Sequence, residues 1–363
     1  MKNGICLATN LPGSAALPFV ISTEAQRSGK ICGGSTQSYD QVMDVPQLIE
    51  RLRQGDVRAL ARAVSLVEND APTARQILSS CFPLTGNALR IGITGPPGAG
   101  KSTLVDGLTR RYRSKQTTVG VIAVDPTSPY SGGAILGDRI RMRDHDSDPG
   151  FYMRSMATRG SLGGLARASA DVAVVIEASG KDRLLLETVG VGQDEIDIVR
   201  LADVTMVVLM PGMGDDIQSI KAGIMEIADI FVVNKSDREG ADRVEKEVRS
   251  MQSLAAEHGS WVPPVVKTIA TTGAGIEELE QQVDRFREWL GQDGRLQTRR
   301  ETHWRTRIME MVRHELLRAL RGHGLSDQDL QTISQQVACR QQDPYQFVPQ
   351  LVEQLLRQGE NDG

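Results

Sequence analysis

Gly95-Pro96-Pro97-Gly98-Ala99-Gly100-Lys101-Ser102-Thr103 meets every fixed position of the phosphate-loop pattern G-x-x-x-x-G-K-[ST]. Residues Ala88 to Thr94 before it are an apolar run that reads as a buried strand. Leu104 to Tyr112 after it reads as a helix, which completes the strand–loop–helix context the pattern requires. The glycines let the backbone bend round phosphate groups with no Cβ in the way. Exposed N–H groups and the positive end of the helix dipole favour an anion there. Lys101, expected in a solvent-facing loop, would reach the β- and γ-phosphates, and the Ser102 hydroxyl would ligate Mg²⁺.

Working outward, Thr118 to Val124 is a run of apolar and β-branched residues ending in Asp125. It reads as a buried parallel strand. Short strands are also predicted at Gly150–Arg154, Leu184–Thr188, Val204–Met210, Ile230–Val233 and Val265–Ala270. Helices are predicted at Leu165–Ala178, Asp194–Leu201, Ile217–Ile227, Ala241–His258 and Ile276–Leu290, with a charged helix-like segment running to His145. Strands alternating with helices imply an α/β fold of the P-loop NTPase type, with a doubly wound, mainly parallel sheet. Ligands in such sheets bind at the carboxyl ends of the strands. Asp125, Glu187, Asn234 and the phosphate loop all stand at such ends.

Helical extensions are expected on both sides of this span. Before it, Val45–Gln54, Val57–Val67 and Ala71–Cys81 carry apolar residues at helical spacing, and Asp56 can cap the second of them. After it the pattern is helical without strands, at Thr302–Leu320, Asp327–Cys339 and Pro344–Arg357. The apolar stripes there (Ile308, Met311, Val312, Leu316; Phe347, Leu351, Leu355) read as packing surfaces. The expected divisions are 1–42 as a disordered tail or over-extended gene start, 43–84 as a helical region, 85–294 as the nucleotide domain and 295–363 as a helical dimerisation region.

Of the 363 residues, 40% are hydrophobic and 24% charged, ordinary values for a globular chain. The net charge of −4 leaves no basic footprint for nucleic acid. No apolar run reaches membrane-spanning length, and the first 42 residues lack a signal-peptide pattern. Cys6, Cys32, Cys81 and Cys339 lie far apart and form no C-x-x-C pair, which reads as reduced thiols in a cytoplasmic protein.

Asn234-Lys235-Ser236-Asp237 fits the N-K-x-D base-reading pattern. Guanine presents two adjacent donors, N1–H and the N2 amine, and one carboxylate, Asp237, can accept both. Adenine lacks that pair, so its entry would leave a charge unpaired. The aliphatic stem of Lys235 can cover the base face. Ala270 and Thr271, ending the next strand, stand where a second base contact falls. Mg²⁺ takes oxygen ligands. Ser102 supplies one, and Asp125, Asp138 and Glu187 are the carboxylate candidates. Glu187 and Gly190 mark a γ-phosphate-sensing turn, since a Gly amide there can bond the terminal phosphate and release it after hydrolysis. Lys101, Glu187, Gly190 and Gln193 are the candidate catalytic residues.

Taken together, residues 95–103, Val-Asp-Pro-Thr-Ser-Pro at 124–129, Ile-Leu-Gly-Asp-Arg at 135–139, Glu-Thr-Val-Gly-Val-Gly-Gln at 187–193, Pro-Gly-Met-Gly-Asp-Asp at 211–216 and Asn-Lys-Ser-Asp at 234–237 resemble the MeaB/ArgK family of P-loop GTPases. That family includes the human methylmalonic aciduria type A protein. The resemblance covers roughly residues 43 to 330. It implies a homodimeric GTPase that chaperones adenosylcobalamin-dependent methylmalonyl-CoA mutase, gating cofactor loading and protecting or rescuing the enzyme. It also implies switch segments at 138–160, 187–197 and 211–221. Asp194 departs from the Ser expected there, and the segment after Gly294 matches less clearly. Two other readings stand beside it. One is an ATPase or kinase serving lysine/arginine/ornithine transport, which the Asn234–Asp237 pattern disfavours. The other is a metal-inserting GTPase, which the scattered histidines (His145, His258, His303, His314, His323) disfavour.

Overall fold

Among the described residues the strands are β1 (Leu89–Thr94), β2 (Val119–Asp125), β3 (Phe151–Ala157), β4 (Arg183–Glu187), β5 (Val204–Leu209), β6 (Ile230–Val233) and β7 (Val265–Lys267). They form one seven-stranded sheet in the order β3-β2-β4-β1-β5-β6-β7, and every neighbouring pair is parallel. This computed structural model describes residues 44–125, 142, 145, 147–157, 164–188, 201–212, 227–254, 261–322 and 327–361. The helices predicted at 194–201 and 217–227, and the charged segment ending at His145, lie almost wholly outside those residues.

The sheet is covered on both faces, as its near-continuous apolar strands require. On one face Ile122, Val124, Leu184 and Leu186 pack under α5 (Gly164–Ala178) and the N-terminal helices α1 (Val45–Arg53), α2 (Val57–Glu68) and α3 (Ala74–Cys81). Further along that face Val207, Leu209, Phe231 and Val233 meet α6 (Ala241–Leu254). On the other face the alternate residues Val119, Val121, Leu185, Met206 and Val208 pack against α4 (Lys101–Ser114) and α7 (Ile276–Leu290). The period-two alternation of strand side chains thus divides the core into two layers.

Asp56 caps α2 as expected, its Oδ1 accepting from Arg58 N at 2.8 Å and Ala59 N at 3.1 Å. The third helix begins at Ala74, three residues later than the periodicity predicts. Ala71 precedes Pro72, and the residue before a proline is pushed out of helical geometry. β7 ends at Lys267, so Ala270 and Thr271 lie in a turn and not at a strand end. The Ala270 amide is drawn off the sheet by the Asn234 side chain, to which it donates at 3.1 Å.

The C-terminal helices are α8 (Arg295–Gly322), α9 (Asp327–Ala338) and α10 (Pro344–Asn361). α8 starts seven residues before the predicted Thr302. Arginines explain the early start, since they fasten its first turns to the amino ends of the strands. Arg299 forms a two-pronged bond with Asp229 at 3.0 and 2.7 Å, and Arg300 grips Asp203 at 3.2 and 3.3 Å. Farther along, Arg307 meets Asp171 at 2.7 Å. Among the described residues nothing covers the apolar stripe: Ile308, Met311, Val312 and Leu316 are 45–53% exposed. Cys81 is buried and Cys339 exposed, both free, and burial pushes the Cys81 thiol up to about 11.

Candidate functional site: the phosphate loop and the base loop

Because all the strands run parallel, the carboxyl ends of β1, β2, β4 and β6 share one edge of the sheet. β1 leads into the phosphate loop. Gly95 has φ +138°, and a Cβ on it would overlap the Val208 carbonyl. Gly100 turns into α4 with φ +88°, and a Cβ there would overlap the Asn234 side-chain amide. Both positions need glycine, the first for close approach to β5 and the second to seat the base loop.

Lys101 is the first residue of α4 and is only 6% exposed, which corrects the expected solvent-facing position. The helix starts at the lysine itself, and its ammonium curls back into the loop. It donates to the carbonyls of Gly95 at 2.7 Å and Pro96 at 3.0 Å. The next side chain, Ser102, donates its hydroxyl to Glu187 Oε1 at 2.6 Å. Glu187 closes β4 and is buried, paired in register with Ile93 of β1 and Ala123 of β2. Thr188 continues the edge, its hydroxyl bonded to that of Thr94 at 3.1 Å. Both threonines are buried, and the pair ties the residue before the phosphate loop to the last residue before segment 189–193.

Asn234 joins the two loops. Its Nδ2 donates to Ala99 O at 2.8 Å, and its Oδ1 accepts from the Thr268 hydroxyl and the Ala270 amide, each at 3.1 Å. Lys235 adopts a left-handed φ of +56° and donates to Gly98 O at 2.6 Å. Asp237 is exposed at the rim. The phosphate loop, the base loop and the turn at 268–271 are therefore one hydrogen-bonded unit. Thr268 and Thr94 were not legible as site residues. Each is an ordinary β-branched strand residue in sequence, and only the pairing reveals what its hydroxyl meets.

Of the other predicted residues, Pro96, Pro97 and Thr103 lie in the loop and its helix, and Thr271 is exposed in the turn after Ala270. Asp125 is the last residue of β2, its backbone paired with Ala157. Asp138, Gly190 and Gln193 lie outside the described residues. His145 and Asp148 are pinned to α4, with His145 Nε2 3.2 Å from Asp106 Oδ1 and Arg113 bonded twice to Asp148 at 2.7 and 2.8 Å. That guanidinium also holds the Asp148 carboxyl below the usual range.

A glycine-turned loop at a helix N-terminus, with a buried lysine, a hydroxyl–carboxylate pair and a base-reading loop hydrogen-bonded to it, has the parts needed to bind and cleave a nucleoside triphosphate. Residues 60–324 match the family model described as methylmalonyl-CoA mutase-associated GTPase MeaB. This chain belongs to the MeaB family. It is similar to a provisionally named GTPase of Pyrococcus abyssi, with 48% identity over 87% of this chain and 98% of the relative. It is 37% identical to the GTPase ArgK of Escherichia coli over 75% of this chain and 85% of that one. Among solved structures, a LAO/AO transport system kinase aligns with a TM-score of 0.64 and 29% identity, over 86% of this chain and 97% of that chain. Like its MeaB-family relatives, the protein is a P-loop GTPase.

Proposed function

We propose that this GTPase chaperones an adenosylcobalamin-dependent methylmalonyl-CoA mutase, using GTP binding and hydrolysis to gate cofactor loading and to protect or reactivate its client. The observation that carries this reading is the family match across residues 60–324, whose description names the mutase. A mouse relative named methylmalonic aciduria type A homolog, 33% identical over 77% of this chain and 72% of its own, supports the same client. The transport reading is favoured only by the name of the similar transport system kinase, and Asn234-Lys235-Ser236-Asp237 speaks for guanine and against ATP.

In this reading Gly95–Thr103 cradles the phosphates, with Lys101 on the β- and γ-phosphates. Asp237 accepts from guanine N1–H and N2, Lys235 covers the base, Asn234 braces it, and Ala270 and Thr271 face its far edge. Two hard oxygen donors, Ser102 Oγ and Glu187 Oε1, stand 2.6 Å apart at the head of α4, a donor set that suits Mg²⁺. Mg²⁺ would neutralise charge on the β- and γ-phosphates. Asp125 and Asp138 are its further candidate ligands, and Gly190 and Gln193 belong to the turn that senses hydrolysis.

The exposed residues Ile308, Met311, Val312 and Leu316 support a homodimer formed through 295–363, beside a helical region 43–84 and a nucleotide domain 85–294. No helix among the described residues is long and apolar enough to cross a membrane, which agrees with work in the cytoplasm. The test is a pull-down from the native host with GTP-loaded protein. Recovery of a cobalamin-dependent mutase subunit supports the proposal, and recovery of transport components alone overturns it.

A further inference from the structure

β5 also ends on the nucleotide edge, and the residue after it touches both loops. Met210 Sδ lies 3.6 Å from Lys235 Nζ, the ammonium that also donates to Gly98 O at 2.6 Å. Met210 Cε comes within 3.9 Å of where a Cβ on Gly98 would stand. Behind these contacts the partly buried Met210 packs against core residues on both faces of the sheet. The next residue, Pro211, is buried and lies 3.7 Å from the Cβ position of Gly240, in the turn that ends the base loop.

Lys235 needs such support. Its backbone is in the left-handed region, which is uncommon for a residue with a long side chain. An ammonium has three donors, and the stem that must lie flat on a base is flexible. One carbonyl on Gly98 fixes the tip in distance. The polarisable thioether of Met210, a weak acceptor, fixes it from a second direction while its methyl fills the space beside the loop.

We propose that Met210 is a positioning residue for nucleotide binding: through its thioether it holds Lys235 against the phosphate loop, so that base contact and loop geometry are set together. The proposal rests on the reading that Lys235 covers guanine.

The test is dissociation of a fluorescent GDP analogue from the full-length chain, for wild type, Met210→Leu, Met210→Ala, Lys235→Ala and the Met210→Leu/Lys235→Ala double variant. Thermal melts and single-turnover hydrolysis run alongside. Leucine keeps the volume and loses the sulfur, so it preserves folding if alanine does not. Release is expected to quicken about threefold in Met210→Leu and about tenfold in Met210→Ala, the span of one weak to one ordinary hydrogen bond. Hydrolysis of bound GTP is expected to change less than release does, since Met210 meets the loop at its Gly98 end and through Lys235. The double variant is expected to release no faster than Lys235→Ala, since both changes cut the same contact. Wild-type release by Met210→Leu, or rate factors that multiply in the double variant, overturns the proposal. Wild-type release by Lys235→Ala overturns the base-covering reading itself, and the proposal with it.

Discussion

The Ser102 hydroxyl and Glu187 Oε1 meet at 2.6 Å, joining the first turn of the phosphate-loop helix to the end of the neighbouring strand. They are 85 residues apart in sequence. Parallel pairing makes the contact, because β4 lies beside β1 with Glu187 opposite Ile93. A residue at the end of the phosphate loop and a residue two before segment 189–193 begins thus share one hydrogen bond. Any group that draws Ser102 away must also be felt at Glu187.

Glu187→Ala is therefore expected to spare nucleotide binding more than turnover. Hydrolysis should fall roughly a hundredfold, the usual scale for removing one preorganised polar group at a reacting centre. GDP affinity should change by less than about tenfold, because the loop amides remain. Parallel titration calorimetry and steady-state phosphate release separate the two effects. Equal hydrolysis by mutant and wild type would exclude a catalytic part for Glu187.

Lys101→Ala should reduce hydrolysis by orders of magnitude through loss of the main positive charge at the phosphates. The burial of Lys101 adds a second consequence. Its ammonium is a partner of the Gly95 and Pro96 carbonyls, so truncation weakens the loop's own framework. A loss of about 1–3 kcal/mol in stability is expected, the cost of leaving buried acceptors without a donor. Urea unfolding of the two proteins checks it. A mutant as stable as wild type would mean that the loop carbonyls find other donors.

The helix α8 carries a pH dependence of its own. Burial lowers the His303 pKa to about 4, with help from the cations Arg299, Arg90 and Arg300 and opposition from Asp203. An unfolded histidine titrates near 6.5. Between those values the unfolded chain binds the extra proton and the folded one does not. The stabilisation is present above about pH 6.5 and is lost as the pH falls toward 4. The wild-type melting temperature should therefore drop more between pH 7 and pH 5 than that of His303→Gln. Parallel melting curves that fall together would assign the acid sensitivity to other groups.

Much of this architecture was legible because each strand carries its own apolar run and each loop its own motif. The phosphate loop and Asn234–Asp237 are contiguous signals whose meaning depends on local backbone alone. What escaped depends on register or on long-range pairing. Nothing in Val265–Ala270 says that Asn234 Oδ1 will take the Ala270 amide and end the strand at Lys267. Nothing in 295–301 says that Arg299 and Arg300 will find Asp229 and Asp203 and extend the helix to meet them. The stripe Ile308–Leu316 has the right period for packing, but period alone cannot tell a partner within the chain from one outside it.

Base selection is the sharpest test of the site. The Asn234 carboxamide braces the protein at both ends, its Oδ1 accepting two bonds and its Nδ2 donating one to Ala99 O. In the proposed reading the guanine N1–H and N2 edge falls to Asp237, which is exposed. A carboxylate accepts from guanine N1–H and N2 together. An Asn in its place offers one acceptor and one donor, and with guanine the donor faces the N2 amine. Xanthine carries a carbonyl at C2, so the amide can donate to it while its oxygen accepts from N1–H. Losing the charged fork and opposing two donors should weaken GTP by on the order of 2–5 kcal/mol, or roughly tens- to thousands-fold. Asp237→Asn should accordingly change preference more than it destroys binding. Competition among GTP, ATP and XTP on both proteins measures this directly. Wild type should prefer GTP to ATP, and the mutant should gain preference for XTP. A mutant that binds GTP as before removes Asp237 from base recognition. A wild type that takes ATP equally well would return the transport-ATPase reading to the front, because adenine cannot satisfy that carboxylate.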